Sequence, residues 1–233
     1  MLLTEFIEEL GNGELDGVNL GHNDETGVSG FNNPKLVTYI NSGLVDLYTR
    51  FPLKTREVII RQYTAVTMYR LSKEFAQTNT ESDVPHKYIE DTEAVPFVDR
   101  ILKIDEVYTG EGCKLPINNP MDCNSVFTPS IDTVQIPNPE HPRVNSVIYR
   151  AAPIKLLAKC DHEQVIELPL VLIQALKTFV TAKVYSEKMD QLSTIKAGNY
   201  LMQYNDACRL VEQHGLTLDN NTPNTRLERN GWI

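Results

Sequence analysis

The sequence predicts an α+β protein: an antiparallel helical bundle with an inserted antiparallel β module and an extended C-terminal tail. Three observations carry this. Apolar residues recur at helical spacing over residues 34–50 and again over 169–214. Between them, residues 55–164 are rich in β-branched and aromatic side chains, broken at intervals by proline. After Gly215 the chain turns polar and holds too little apolar surface to build a core. The implied segments are 1–54 (N-terminal helices with a Gly-rich acidic loop), 55–164 (the β module), 165–215 (a long helical hairpin completing the bundle) and 216–233 (the tail).

Leu3, Phe6, Ile7 and Leu10 put an apolar stripe on residues 2–10, the mark of a short amphipathic helix. Residues 11–33 hold six glycines and little to bury, and read as a loop or mobile arm. Asn33-Pro34 opens the next helix, an N-cap residue followed by proline in the first turn. Leu36, Val37, Ile40, Leu44, Leu47 and Tyr48 form its apolar face, and Phe51-Pro52 stops it. Residues 56–69 read as a strand, 72–96 as a loop with one helical turn, and 97–108 as a second strand. Lys114–Ile117, Thr133–Ile136 and Val144–Tyr149 are shorter strands between proline-rich turns, as in a sandwich or barrel. The last strand falls at Lys155–Ala158 or Val165–Leu168. Pro169 opens a helix that reaches about Lys188, with Leu172, Leu176, Phe179, Ala182 and Lys183 at helical spacing. A connection near Gln191–Ser193 leads into a second long helix that shows Ile195, Leu201, Ala207, Leu210 and Val211 and ends at Gly215. A short connection makes the two antiparallel.

Composition narrows the function. The 233 residues are 41% hydrophobic, and no apolar run approaches the ~18 residues that cross a bilayer. The start is acidic and lacks a basic signal-peptide region, so the chain is expected to stay in a cytoplasm, where Cys113, Cys123, Cys160 and Cys208 are free thiols. Of the net charge of −9, residues 1–33 hold −7: Glu5, Glu8, Glu9, Glu14, Asp16, Asp24 and Glu25 with no Lys or Arg. A sequence-reading DNA binder shows a basic face, which this chain lacks. An acidic surface suits a path along which DNA slides without sticking.

No catalytic or metal-binding set emerges, and no cofactor is expected. Cys113, Cys123, Cys160 and His162 lack the close pairing of zinc modules. Asn23-Asp24-Glu25-Thr26-Gly27 lacks the alternating ligands and closing glutamate of a calcium loop. No G-x-S-x-G is present, and His22, His86, His141, His162 and His214 are scattered among polar and turn residues. His214 suits a helix C-terminus. Gly11-x-Gly13 follows a helix, the reverse of a phosphate-loop context. A hydrolase or metal protein built on His162 and nearby cysteines, and a cellular binding module docking through its helical hairpin, remain as alternatives to a non-enzymatic assembly protein.

The run Asn33-Pro34-Lys35-Leu36-Val37-Thr38-Tyr39-Ile40-Asn41-Ser42-Gly43-Leu44-Val45-Asp46-Leu47-Tyr48, with Phe51-Pro52 after it, resembles the first long helix of the head-to-tail adaptor proteins of short-tailed bacteriophages, the tail tubular protein A type. Ile166-Glu167-Leu168-Pro169 with Ala175-Leu176 and Tyr185 is similar to that family's entry into its long helix, and Tyr200, Tyr204 and Ala207 fit its last one. The resemblance implies a virion structural protein assembled in a bacterial host cytoplasm. It implies a twelve-membered ring joining the portal protein to the tail nozzle protein, with DNA passing through the lumen and no membrane involved.

Two sets of residues then become candidates. Tyr39, Tyr48, Tyr185, Tyr200 and Tyr204 cannot all fit one small bundle core, and tyrosine suits a subunit interface. In the tail, Leu227, Trp232 and Ile233 are expected as apolar anchors on the portal, with Arg226 and Arg229 meeting acidic groups. Trp232 is the only tryptophan, and a large aromatic is the strongest single apolar anchor available.

Overall fold

The computed structural model describes residues 1–16, 18, 34–158, 163–188 and 190–215. Its contacts divide the chain into two compact units: one of Met1–Leu53 and the chain from Ile154 onward, the other of Lys54–Pro153. Helices and antiparallel sheets are both present, so the fold is α+β.

The first unit holds α1 (Leu3–Asn12), α2 (Pro34–Arg50), α3 (Leu170–Ser186) and α4 (Gln191–His214). The predicted stripe of α1 is its buried face: Leu3, Phe6, Ile7 and Leu10. Glu5 folds back to accept the backbone N–H of Leu2 at 3.0 Å and satisfies a helix-start donor. On α2 the six predicted residues are buried. Gly43 lies where α2 meets α3: a Cβ there would stand 2.6 Å from Leu176 Cδ1 and 2.8 Å from Phe179 Cδ1. α3 is buried around most of its circumference, from Leu172 and Ile173 to Val184 and Tyr185. A helix apolar on all sides sits inside its unit.

The α3–α4 connection runs over Glu187–Asp190, earlier than the Gln191–Ser193 expected. Asp190 caps α4 by accepting both the backbone N–H and the hydroxyl of Ser193 at 2.9 Å. Gly215 closes α4 in the left-handed region at φ 61°. Tyr185 stacks on Tyr200 at 5.8 Å, and Phe179 meets Tyr204 edge-on at 5.2 Å. One register rises as the other falls, so α3 and α4 run antiparallel.

Residues 154–158 and 163–168, read from sequence as part of the β module and its last strand, belong to this first unit and form no strand. Asn41 holds Leu156 through both its N–H and its carbonyl. Leu3 donates to the Gln164 carbonyl at 2.8 Å, and Ile166 donates to the Met1 carbonyl at 2.9 Å. Val165 makes only an isolated bridge to Leu2.

The second unit contains two antiparallel sheets. One runs β3 (Ile89–Glu90), β1 (Thr55–Arg61), β7 (Val144–Ala151), β4 (Ile101–Thr109). The other runs β2 (Met68–Arg70), β6 (Thr133–Gln135), β5 (Phe127–Ser130). Inward residues of both sheets share one core, including Val58, Ile60, Tyr69, Val134, Val147 and Tyr149. The stretch 56–69 is two strands. It breaks after Arg61 because Gln62 is buried as a polar cross-link, bonded to Asn145 and accepting the Glu140 N–H at 2.6 Å. β5, not anticipated, carries Pro129. Proline cannot donate to a ladder, and β5 is an edge strand. Lys114–Ile117 makes isolated bridges only.

Candidate functional site

In the helical unit, three of the five candidate tyrosines are internal. Tyr48 is buried and donates to the Glu167 carbonyl at 2.5 Å. Tyr204 is buried and donates to the Asp46 carboxylate. Tyr185 is buried under Tyr200. Burial raises the pKa of the Tyr48 and Tyr204 phenols, and the nearby Glu167 and Asp46 add to it. Only Tyr39 and Tyr200 are half-exposed. Tyr39 donates to Glu187, which also pairs with Lys35. Arg226, Leu227, Arg229, Trp232 and Ile233 lie outside the described residues.

Of the apolar positions expected on α4, Val211 is buried, whereas Ile195, Leu201 and Leu210 face solvent. The buried side of the helix is Ser193, Tyr204, Cys208 and Val211. Two apolar stripes run along this helix, and the one holding small and aromatic residues packs on α3. The other leaves Leu192 at 64%, Ile195 at 55% and Met202 at 63% exposure. Lys196 is the one charged residue within 191–205. The signal was present in the sequence as an excess of apolar residues over what one face can bury.

The β unit offers two clefts. The first, about 440 Å³, lies beside the β3 side of β1, floored by Val58, Phe97 and Tyr149 and rimmed by Ile59, Val95 and Val98. Asp91 holds its wall, accepting Thr78 N–H at 2.9 Å, Thr78 Oγ1 at 2.5 Å and Phe97 N–H at 3.0 Å. Burial works to raise the Asp91 pKa, but these donors outweigh it and the net shift is downward. The second cleft, about 630 Å³, contains the exposed thiols Cys113 and Cys123, and none of its lining residues is a histidine. His86 and His141 lie against Tyr63, at 4.7 and 5.3 Å between ring centres. Cys160 and His162 lie outside the described residues. Among the described residues no group of three or more His, Cys, Asp or Glu is placed to hold a metal ion. Among them, too, no helix is long and apolar enough to cross a membrane.

Compared with protein families and with curated proteins, the chain gives no match.

Proposed function

We infer that this chain is a structural subunit of a head-to-tail connector: a ring-forming adaptor between portal and tail nozzle, lining part of the DNA channel. In this reading the four helices act as an antiparallel bundle that mediates assembly, and the tail extends to the portal through Leu227, Trp232 and Ile233, with Arg226 and Arg229 on acidic groups. The observation that carries it is the outward stripe of α4. Its apolar residues Leu192, Ile195, Met202 and Leu210 are exposed, and at about 100° per residue they fall on one side of the helix. An exposed apolar stripe of that kind marks an interaction site. A ring needs two different faces of each subunit to meet, and this face is suited to be one of them. The net charge of −9 fits a wall past which DNA slides.

The test is the mass of the full chain in solution, alone and mixed with a portal ring. Assembly into a closed multiple of the subunit mass supports the reading, and a monomer under both conditions overturns it. Ile195→Asp with Met202→Asp is expected to abolish assembly while leaving the far-ultraviolet circular dichroism unchanged. Separately, Trp232→Ala is expected to weaken portal attachment without changing solubility. Equal attachment of the variant and the parent would remove the tail from the role.

A further inference from the structure

The backbone of β1 is paired along its whole length on one side and only at one end on the other. β7 pairs every residue from Thr55 to Arg61. On the opposite side β3 reaches Ile59 and Ile60 alone. Hydrogen bonds fix which residues face that side. Arg61 donates toward β3, to the Tyr88 carbonyl, whereas Gln62 donates toward the β7 side, to the Arg143 carbonyl, both at 2.8 Å. Alternation then turns the N–H and C=O groups of Ile59, Glu57 and Thr55 toward the β3 side. Ile59 is answered by Glu90, and no described strand answers Glu57 or Thr55.

The gap is built in. After Glu90 the chain peels off the line of β1, because Asp91 clamps it to Thr78 and to Phe97. Thr92 and Val95 then close a tight turn through reciprocal backbone bonds. The 440 Å³ cleft is the space left between this wall and the β1 edge. Its two faces differ chemically. Val58 and the neighbouring Tyr149 lie on the apolar core face. Glu57 and Ile59 point to the other face, where Glu90 stands opposite Ile59. Of the lining carboxylates, Glu90 is paired with Arg61 at 2.6 Å and Asp91 is taken up by Thr78 and Phe97, while Arg56 bonds the Tyr149 hydroxyl; Glu57, which accepts the Ser146 hydroxyl, is the carboxylate that remains for a guest.

We propose that this edge is a strand-addition site for an extended segment of a different polypeptide, apolar at alternate positions and carrying lysine or arginine between them. Unpaired N–H and C=O groups in a row are matched by another backbone, which supplies affinity, while the pockets for alternate side chains supply selectivity. Apolar residues of the guest lie over Val58, Phe97 and Tyr149, and a basic one lies beside Glu57. The site is independent of whether the chain forms a ring.

The experiment uses the full chain labelled with ¹⁵N and a capped hexapeptide alternating valine and lysine. The amide resonances of Thr55, Glu57 and Ile59 are expected to shift and saturate, and exchange of the Glu57 amide with solvent to slow by about tenfold. A twin peptide N-methylated along its pairing edge should bind at least about tenfold more weakly, because it has lost those donors. A valine–glutamate twin should do the same, because it meets the Glu57 carboxylate. Val95→Arg, a change at an exposed rim position, should weaken the lysine peptide without disturbing the rest of the spectrum. No shift at Thr55 and Glu57 at millimolar peptide overturns the proposal, as does equal binding of the N-methylated twin or a response confined to α4. Shifts of the same amides with protein concentration alone would assign the edge to a second copy of this chain and overturn it equally.

Discussion

At the residue scale, single polar groups decide where elements begin, bend and stop. Asp190 starts α4 and Gly215 ends it. Gln62 ends β1 by spending both ends of its amide inside the β unit. The buried tyrosines set the response to base. Burial raises the pKa of Tyr48, Tyr69, Tyr88, Tyr149 and Tyr204 above the usual phenol value of about 10. The native state therefore favours the neutral phenol. The resulting stability is complete below the unfolded-state pKa and falls as pH climbs from there toward the folded-state values. Phenolate absorbance above pH 10 is expected to include a cooperative step that coincides with loss of circular dichroism. A smooth, non-cooperative titration of every tyrosine would contradict this. Asp91 works in the opposite sense. Its pKa is lowered, so its contribution is present above the unfolded-state value near 4 and is lost as pH falls further. Asp91→Asn is expected to loosen the 91–98 wall, read as faster exchange of the Phe97 amide. Unchanged exchange would mean that the clamp lies elsewhere.

At the element scale, packing selects among patterns that periodicity leaves equal. Gly43 lets α2 approach α3 closely. Gly43→Ala gains up to ~1 kcal/mol of helix propensity but presses a methyl against Leu176 and Phe179. Overpacking of that kind costs typically 1–3 kcal/mol, so a net loss of about 1 kcal/mol is expected in urea unfolding. A gain in stability would show that both side chains move aside freely. The apolar face of α1 was legible because only one stripe on that helix is apolar. On α4 there are two, and the aromatic contacts of Tyr200 and Tyr204 with α3 chose the one that turns inward. β5 was hidden by Pro129, and the break after Arg61 was hidden by a run of β-branched residues that continues past it.

At the scale of the whole molecule, the β unit begins and ends with its two chain ends side by side: Ala151 donates to the Lys54 carbonyl at 2.8 Å. A segment whose ends meet, with a core of its own, is a self-contained insertion. Residues 54–153 expressed alone are expected to fold, with a sheet-type circular dichroism spectrum and a cooperative melt. A non-cooperative melt would show that they depend on the rest of the chain.

The sequence by itself determined the helical flanks, the strand-rich middle, the buried faces of α1 and α2, the left-handed stop at Gly215 and the uneven charge, because each rests on local spacing or on a single residue's backbone preference. Only the tertiary structure decided that residues 154–158 and 163–168 lie with the helices and that Tyr48, Tyr185 and Tyr204 turn inward. The solvent-facing stripe of α4 and the half-open edge of β1 also became visible only there. These features depend on which surfaces meet across more than a hundred residues of chain, and burial between distant segments leaves no periodic trace in either one.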